Sequence, residues 1–201
     1  MTTSNPKDYL AANEAVDSNH PTIITKAKEL SKGLTNDEVI AKNCFEFVRD
    51  EIDHSGDTLA SITTYKASEV LEHKTGWCYA KSHLLAALLR TNGIPTGLCY
   101  QRLSQGSGAP YCLHGLNAIY LKEHGWYRVD PRGNKEGVNA QFIPPTQKLA
   151  FAFQDENEGD FETIYVAPLP EVVEALQCNI DYKAMVQNLP DRILYEKREK
   201  R

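Results

Sequence analysis

Hydrophobic positions follow a helical period through the first half of the chain and switch to a period of two beyond Pro95. Ile23, Ile24, Ala27 and Leu30 share one helical face, and Gly33 is placed as a C-terminal cap. Thr35 and Glu38 have the form of a capping box opening a second helix, whose apolar face is Val39, Ile40, Phe45, Phe47 and Val48. The polar stretch His54-Ser55-Gly56-Asp57 interrupts the pattern and reads as a turn. A short helix around Ser68 to Glu72 leads to Thr75-Gly76-Trp77-Cys78. From there a strong helix runs to about Thr91, with Leu84, Leu85, Leu88 and Leu89 on one stripe, Gly93 as cap and Pro95 as stop.

Past Pro95, Leu98 to Leu103 reads as a strand and Gly106 to Pro110 as a loop. His114 to Leu121 and Trp126 to Val129 read as two strands of a hairpin joined by Lys122-Glu123-His124-Gly125. Pro144-Pro145 and the acidic run from Asp155 to Asp160 mark loops. A strand from Thr163 to Val166 and one or two helices between Glu171 and Asn188 follow. Helices precede strands rather than alternating with them, which predicts an α+β fold with an antiparallel sheet.

Length and charge narrow the function classes. A chain of 201 residues fits one domain over 1–201: N-terminal helices at 1–52, core motifs at 53–133, and a loop, strand and helices at 134–201. A formal net charge of −5 gives no footprint for nucleic acid, and the basic cluster Glu196 to Arg201 reads as a solvated tail. No apolar run reaches the ~18–20 residues of a membrane span, and Met1 to Asp8 lacks signal-peptide character. The five cysteines, an odd count, predict free thiols in a reducing, cytoplasmic setting.

One of those thiols is placed for chemistry. Cys78 opens the best helix in the chain, where free N–H groups and the helix dipole stabilise a thiolate; cysteines at such positions have pKa values lowered to ~3.5–7.5. Its proton partner is His114, at the start of one hairpin strand, and Asp130 ends the other. Antiparallel pairing brings that start and that end together, so Asp130 can hold one ring nitrogen while the other faces Cys78. Register decides whether it does. A four-residue loop sets Asp130 opposite Asn117, on the wrong face, whereas an odd loop or a bulge near Gly125 sets it on the face of His114. An odd loop or a bulge is therefore predicted.

Gly76-Trp77-Cys78, then Leu84 to Arg90 with Gly93-Ile94-Pro95, resembles the nucleophile helix of the transglutaminase-like superfamily. His114 to Tyr120, with Gly125-Trp126 and Val129-Asp130-Pro131, resembles that family's histidine and aspartate strands; the likeness covers roughly Phe45 to Gly133. It implies a papain-like core, with the thiol-bearing helix packed on an antiparallel sheet, to which the helices predicted at both ends are extra. It also implies hydrolysis or acyl transfer at a peptide, protein or small amide substrate through a thioester, with no cofactor. Glycine follows His114 where the family often has an aromatic close behind. No calcium-loop spacing and no additional β-domains accompany the motifs, which favours a small bacterial-type hydrolase or acyltransferase over a cross-linking enzyme.

An oxyanion hole needs a donor besides the Cys78 amide, and the candidates are Trp77, Gln101, His54 and Ser55. Arg132 is placed to pair with a carboxylate in the cleft, and Arg102 reads as an exposed strand residue. His83 lies off the thiol's helical face, and His73 and His124 read as exposed. Cys78, Cys99, Cys112 and His114 lack zinc-site spacing, so no metal is expected. Cleft loops are expected at Gln105 to Tyr111 and Gly133 to Gln147. Two other readings share the features: a non-catalytic peptide-binding module, and an arylamine-type acetyltransferase.

Overall fold

The computed structural model describes residues 5–194, so the basic cluster Glu196 to Arg201 lies outside the described residues. After a short 3-10 helix at Pro6–Leu10, α1 (Pro21–Leu30) starts on a proline, whose missing N–H costs nothing at a helix's first position. Its exit passes through Gly33 at φ +76°, a left-handed conformation that suits glycine. The second helix, α2 (Asp37–Glu51), is capped one residue later than the capping-box pattern suggests. Asn36 Oδ1 accepts from the Glu38 and Val39 amides at 2.8 and 3.1 Å, and no cap comes from Thr35. Ile40, Ala41, Cys44, Phe45 and Val48 form the buried stripe of α2.

Two short strands then frame the site. β1 (Asp53–His54), the one-turn helix α3 (Ser55–Thr58) and α4 (Ala67–His73) lead to β2 (Thr75–Gly76). β1 and β2 pair in parallel, Asp53 with Thr75 and His54 with Gly76, which draws residue 54 to the doorstep of Cys78.

The fifth helix, α5 (Cys78–Thr91), is buried on every side from Cys78 to Arg90, as befits a helix at the centre of a domain. Helices α1, α2 and α4 cover one flank and the sheet covers another. Lys81 belongs to that buried set. Its ammonium donates to the carbonyls of Ile52 and, at 3.4 Å, Arg49, which are free at the end of α2, where the helix dipole favours a cation. Burial, helped by Arg132, pulls its pKa down to about 7.

The remaining strands are β3 (Thr96–Ser104), β4 (Tyr111–Leu121), β5 (Gly125–Val129), β6 (Gln141–Ile143), β7 (Thr146–Lys148) and β8 (Gly159–Asp160). A curled antiparallel sheet runs in the order β5-β4-β3-β8, with β6 and β7 as a separate hairpin. Thr163 to Val166 is not the strand its composition suggests. The edge pairs with β3 at Asp160↔Gln101 and again at Tyr165↔Leu98, setting four intervening residues against two, so the excess bulges and breaks the ladder. Helices α6 (Pro170–Cys178) and α7 (Tyr182–Gln187) follow in the predicted region.

Candidate active site

Cys78 is the first residue of α5, and its N-cap, Trp77, makes no side-chain cap bond. The amides of the first turn are thus left for an anion rather than for a capping oxygen. Ser82 Oγ donates to the Cys78 carbonyl at 2.8 Å, and the thiol sulfur accepts from the Gly115 N–H at 3.4 Å. This contact needs glycine at 115. A Cβ there would lie 2.9–3.1 Å from the ring and backbone of Tyr79, so a side chain would push β4 away from α5.

The hairpin sets the imidazole and carboxylate. Leu121 pairs with Gly125, leaving a three-residue loop in which the His124 amide donates to the Leu121 carbonyl, and Gly125 follows at φ +68°. That is a tight turn followed by a left-handed residue, a connection glycine makes possible. The loop is odd, as required, and the expected fourth loop residue, Gly125, is in the ladder instead. β5 ends with Val129 opposite Asn117, so the next residue, Asp130, falls level with Leu116 on the face of His114. His114 Nε2 and Asp130 Oδ2 are 2.7 Å apart. Asp130 is completely buried and also accepts from the backbone N–H groups of Arg132 and Ala150, each at 3.1 Å.

With Nε2 committed to Asp130, Nδ1 is the nitrogen left for Cys78. Burial alone would discharge this ring. The Asp130 charge, the hydrogen bond to Asp130 and the interaction with the Cys78 sulfur outweigh it and raise His114 to about 10. Burial likewise opposes charge on Asp130, yet the imidazolium and the two amides hold it below its ordinary value. Both groups therefore stay charged together.

Cys78 and His114 line a cavity of about 180 Å³ together with His54, Trp77, Arg132, Phe151 and Glu158. His54 enters from β1. Its Nδ1 accepts from the Gly56 N–H at 3.2 Å, and its ring stands edge-on to Trp77 at 5.4 Å. Asp57, four ångströms from that nitrogen (4.0 Å), is held by the Arg132 fork at 2.7 and 2.8 Å and by Lys135 at 2.6 Å. Burial and the Arg132 charge push His54 well below its ordinary pKa.

A sequence profile described as the transglutaminase-like superfamily matches residues 24–131. The chain belongs to that superfamily. A comparison with curated proteins returned no match. Among solved structures the chain is similar to a candidate cysteine protease from Cytophaga hutchinsonii, with TM-score 0.50 and 16% identity, covering 62% of this chain and 40% of that one. It is also similar to the periplasmic domain of TgpA from Pseudomonas aeruginosa, with TM-score 0.48 and 19% identity, covering 64% of this chain and 48% of that one. The chain thus spans less than half the length of either structure. The likeness to the first is one of fold, and the superfamily's helix-on-sheet core is the architecture described above.

Within this superfamily core the four oxyanion candidates separate. Ser55 is fully buried and its Oγ bonds Thr75 Oγ1 at 3.1 Å, away from the cavity. Gln101 lies across the ladder from His114, but its Nε2 donates to Asp160 at 2.9 Å and its side chain does not line the cavity. The neighbours that hold these two side chains in place engage the Ser55 hydroxyl and the Gln101 Nε2 away from the cavity. Trp77 lines the cavity, while its Nε1 is sealed inside the protein without a partner among the described residues. Of the four, His54 lines the cavity and keeps a side-chain nitrogen, Nε2, that is not sealed from solvent.

His83 is buried against the Tyr65 carbonyl at 2.9 Å and does not line the cavity, and Arg102 is paired with Asp191 rather than free. His124 is only partly exposed and lies 3.3 Å from Glu38. Among the described residues no cluster of His, Cys, Asp or Glu could hold a metal ion. The loops expected to shape the cleft do not line the cavity; Phe151, Ala152, Gln154, Glu158 and Leu189 do. Nothing in the sequence singled these out, since they come from irregular chain brought in over long separations.

Proposed function

We propose that this protein is a thiol hydrolase or acyltransferase that acts on a peptide or amide bond through an acyl-Cys78 intermediate. One observation carries the reading. His114, bound through Nε2 to buried Asp130 at 2.7 Å, shares a cavity with a cysteine at the start of the central helix. The Cys78 sulfur attacks the substrate carbonyl carbon, and the C–N bond breaks as the imidazolium of His114 gives its Nδ1 proton to the leaving amine. Water or a second amine then attacks the thioester, passing its proton back to His114 and releasing the sulfur. Asp130 holds the ring's orientation and its charge throughout. The walls offered by Trp77, Leu103, Leu113 and Phe151 suit a peptide, protein or small amide substrate with an apolar group beside the scissile bond.

The compartment belongs to the same proposal. All five thiols are unpaired, which supports a reducing, cytoplasmic setting. No helix among the described residues is long and apolar enough to cross a membrane.

Iodoacetamide tests the nucleophile. Burial pushes Cys44, Cys99 and Cys112 up to about 12, and Cys178 is exposed at the end of α6. Mass mapping should find Cys78 alkylated fastest, Cys178 next, and the three buried thiols last. If Cys178 outpaces Cys78 at neutral pH, the activated-thiol reading fails. Trapping an acyl-enzyme that Cys78→Ala abolishes would then identify the acyl group.

A further inference from the structure

We propose that His54 is the second oxyanion donor of this site, acting through Nε2–H as a neutral imidazole; the proposal rests on Cys78 being the acylated nucleophile. A tetrahedral adduct at Cys78 carries a negative oxygen, and the amide of Cys78 supplies only one hydrogen bond to it. The fold builds a second donor from a segment unconnected with the hairpin.

The tautomer follows from a single hydrogen bond. A neutral imidazole has one donor nitrogen and one acceptor. The Gly56 amide donates to Nδ1 at 3.2 Å, so Nδ1 is the acceptor and the proton sits on Nε2. Gly56 is shaped for this: a Cβ there would meet the His54 ring at 3.0 and 3.1 Å and Trp77 at 3.4 Å. The Nε2 atom has no partner among the described residues, and, unlike Trp77 Nε1, it is not among the polar atoms sealed from solvent.

Charge keeps the ring in that state. Of the groups acting on it, Arg132, Lys81 and His114 disfavour a second proton, and only Asp57 favours one. Asp57 is already engaged by Arg132 and Lys135. A neutral donor also suits its neighbour, because a second imidazolium beside His114 would be repelled. The pairing of His54 with Gly76 and the edge-on packing against Trp77 anchor the donor to the residues leading into Cys78.

The test uses two reactions at one sulfur. p-Nitrophenyl acetate acetylates a thiol through a tetrahedral oxyanion, releasing p-nitrophenolate, whereas iodoacetamide alkylates it by displacement of iodide without one. His54→Ala should slow acetylation of Cys78 by about 10²-fold while changing alkylation less than about 3-fold, and His54→Gln, which keeps an N–H donor, should recover about tenfold. Parallel losses in both reactions, or no loss in acetylation, would overturn the proposal. A second measurement needs no variant. Nitrogen-15 NMR of the wild-type ring should report an Nε2–H tautomer at pH 7; an Nδ1–H tautomer or an imidazolium would sink the idea even if His54→Ala failed to fold. A wild type that is alkylated but never acetylated would instead remove the acyl-Cys78 reading on which this one rests.

Discussion

Two imidazoles, each beside a carboxylate, line the same cavity and arrive at different charge. His114 lies 2.7 Å from Asp130 and is raised to about 10, whereas His54 lies 4.0 Å from Asp57 and is held neutral. Burial is severe for both rings, so burial does not distinguish them. What differs is the direct hydrogen bond to Asp130, the charges beside each ring, and the company each carboxylate keeps. Asp130 receives two neutral backbone amides and leaves its charge for the ring, while Asp57 is shared between the cations Arg132 and Lys135. A carboxylate near a histidine therefore predicts nothing until its other partners are counted.

The largest expected effect comes from removing the carboxylate that does charge a ring. Asp130→Asn should slow acylation by about 10³–10⁴-fold, as loss of the orienting aspartate does in Ser-His-Asp sites. The His114 titration should drop with it, read by NMR of the ring. A loss under tenfold would show that the two pairs are less different than their geometry implies.

Next is the other carboxylate. Asp57→Asn leaves Arg132, 8% exposed in its side chain, without its ionic partner. Urea unfolding should show a destabilisation of about 2–3 kcal/mol, below the ~3–5 kcal/mol of breaking a fully buried pair because Asp57 is itself partly exposed. His54 should stay neutral in this variant, since its one favourable charge has gone. A rise in its pKa would reverse the account given of Asp57.

Smallest in energy, but most direct, is titration of the wild type. His114 should remain an imidazolium well above pH 7, and His54 should remain neutral well below the ordinary value of ~6.5. Linkage gives the two opposite signs. The raised pKa of His114 contributes stability that is fully present below ~6.5 and is lost as pH rises toward about 10. The lowered pKa of His54 takes stability away as the pH falls below ~6.5. Two rings titrating together near 6.5 would erase the contrast.

How far each wall could be read from the chain follows the same division. The wall made by α5 and the hairpin carries its own signals: the Leu84–Leu89 stripe, the cap at Gly93, the alternation around His114, and a parity argument that places Asp130. Those are local periodicities, and locality is what a sequence displays. The His54 wall depends on a two-residue parallel pairing between segments about twenty residues apart, too short to leave a period. Phe151, Glu158 and Leu189 reach the cavity through irregular chain, where hydrogen bonds rather than patterning fix the path. Glu158, for example, accepts from the backbone amides of Ser104 and Gln154. The misplaced strand at Thr163 to Val166 has the same origin. Its composition suits a strand, but a bulge against β3 cannot be seen in composition.

The turn at Lys122 to His124 carries a last consequence, for how this chain tolerates change. Because the strands on either side hold Leu121 against Gly125, a residue added within Lys122 to His124 lengthens the loop and leaves Asp130 where it is. A residue added within β5 itself does move it: every later side chain changes sides of the sheet unless a bulge absorbs the extra one. The surface loop is therefore free in length, and the strand that carries the aspartate is not.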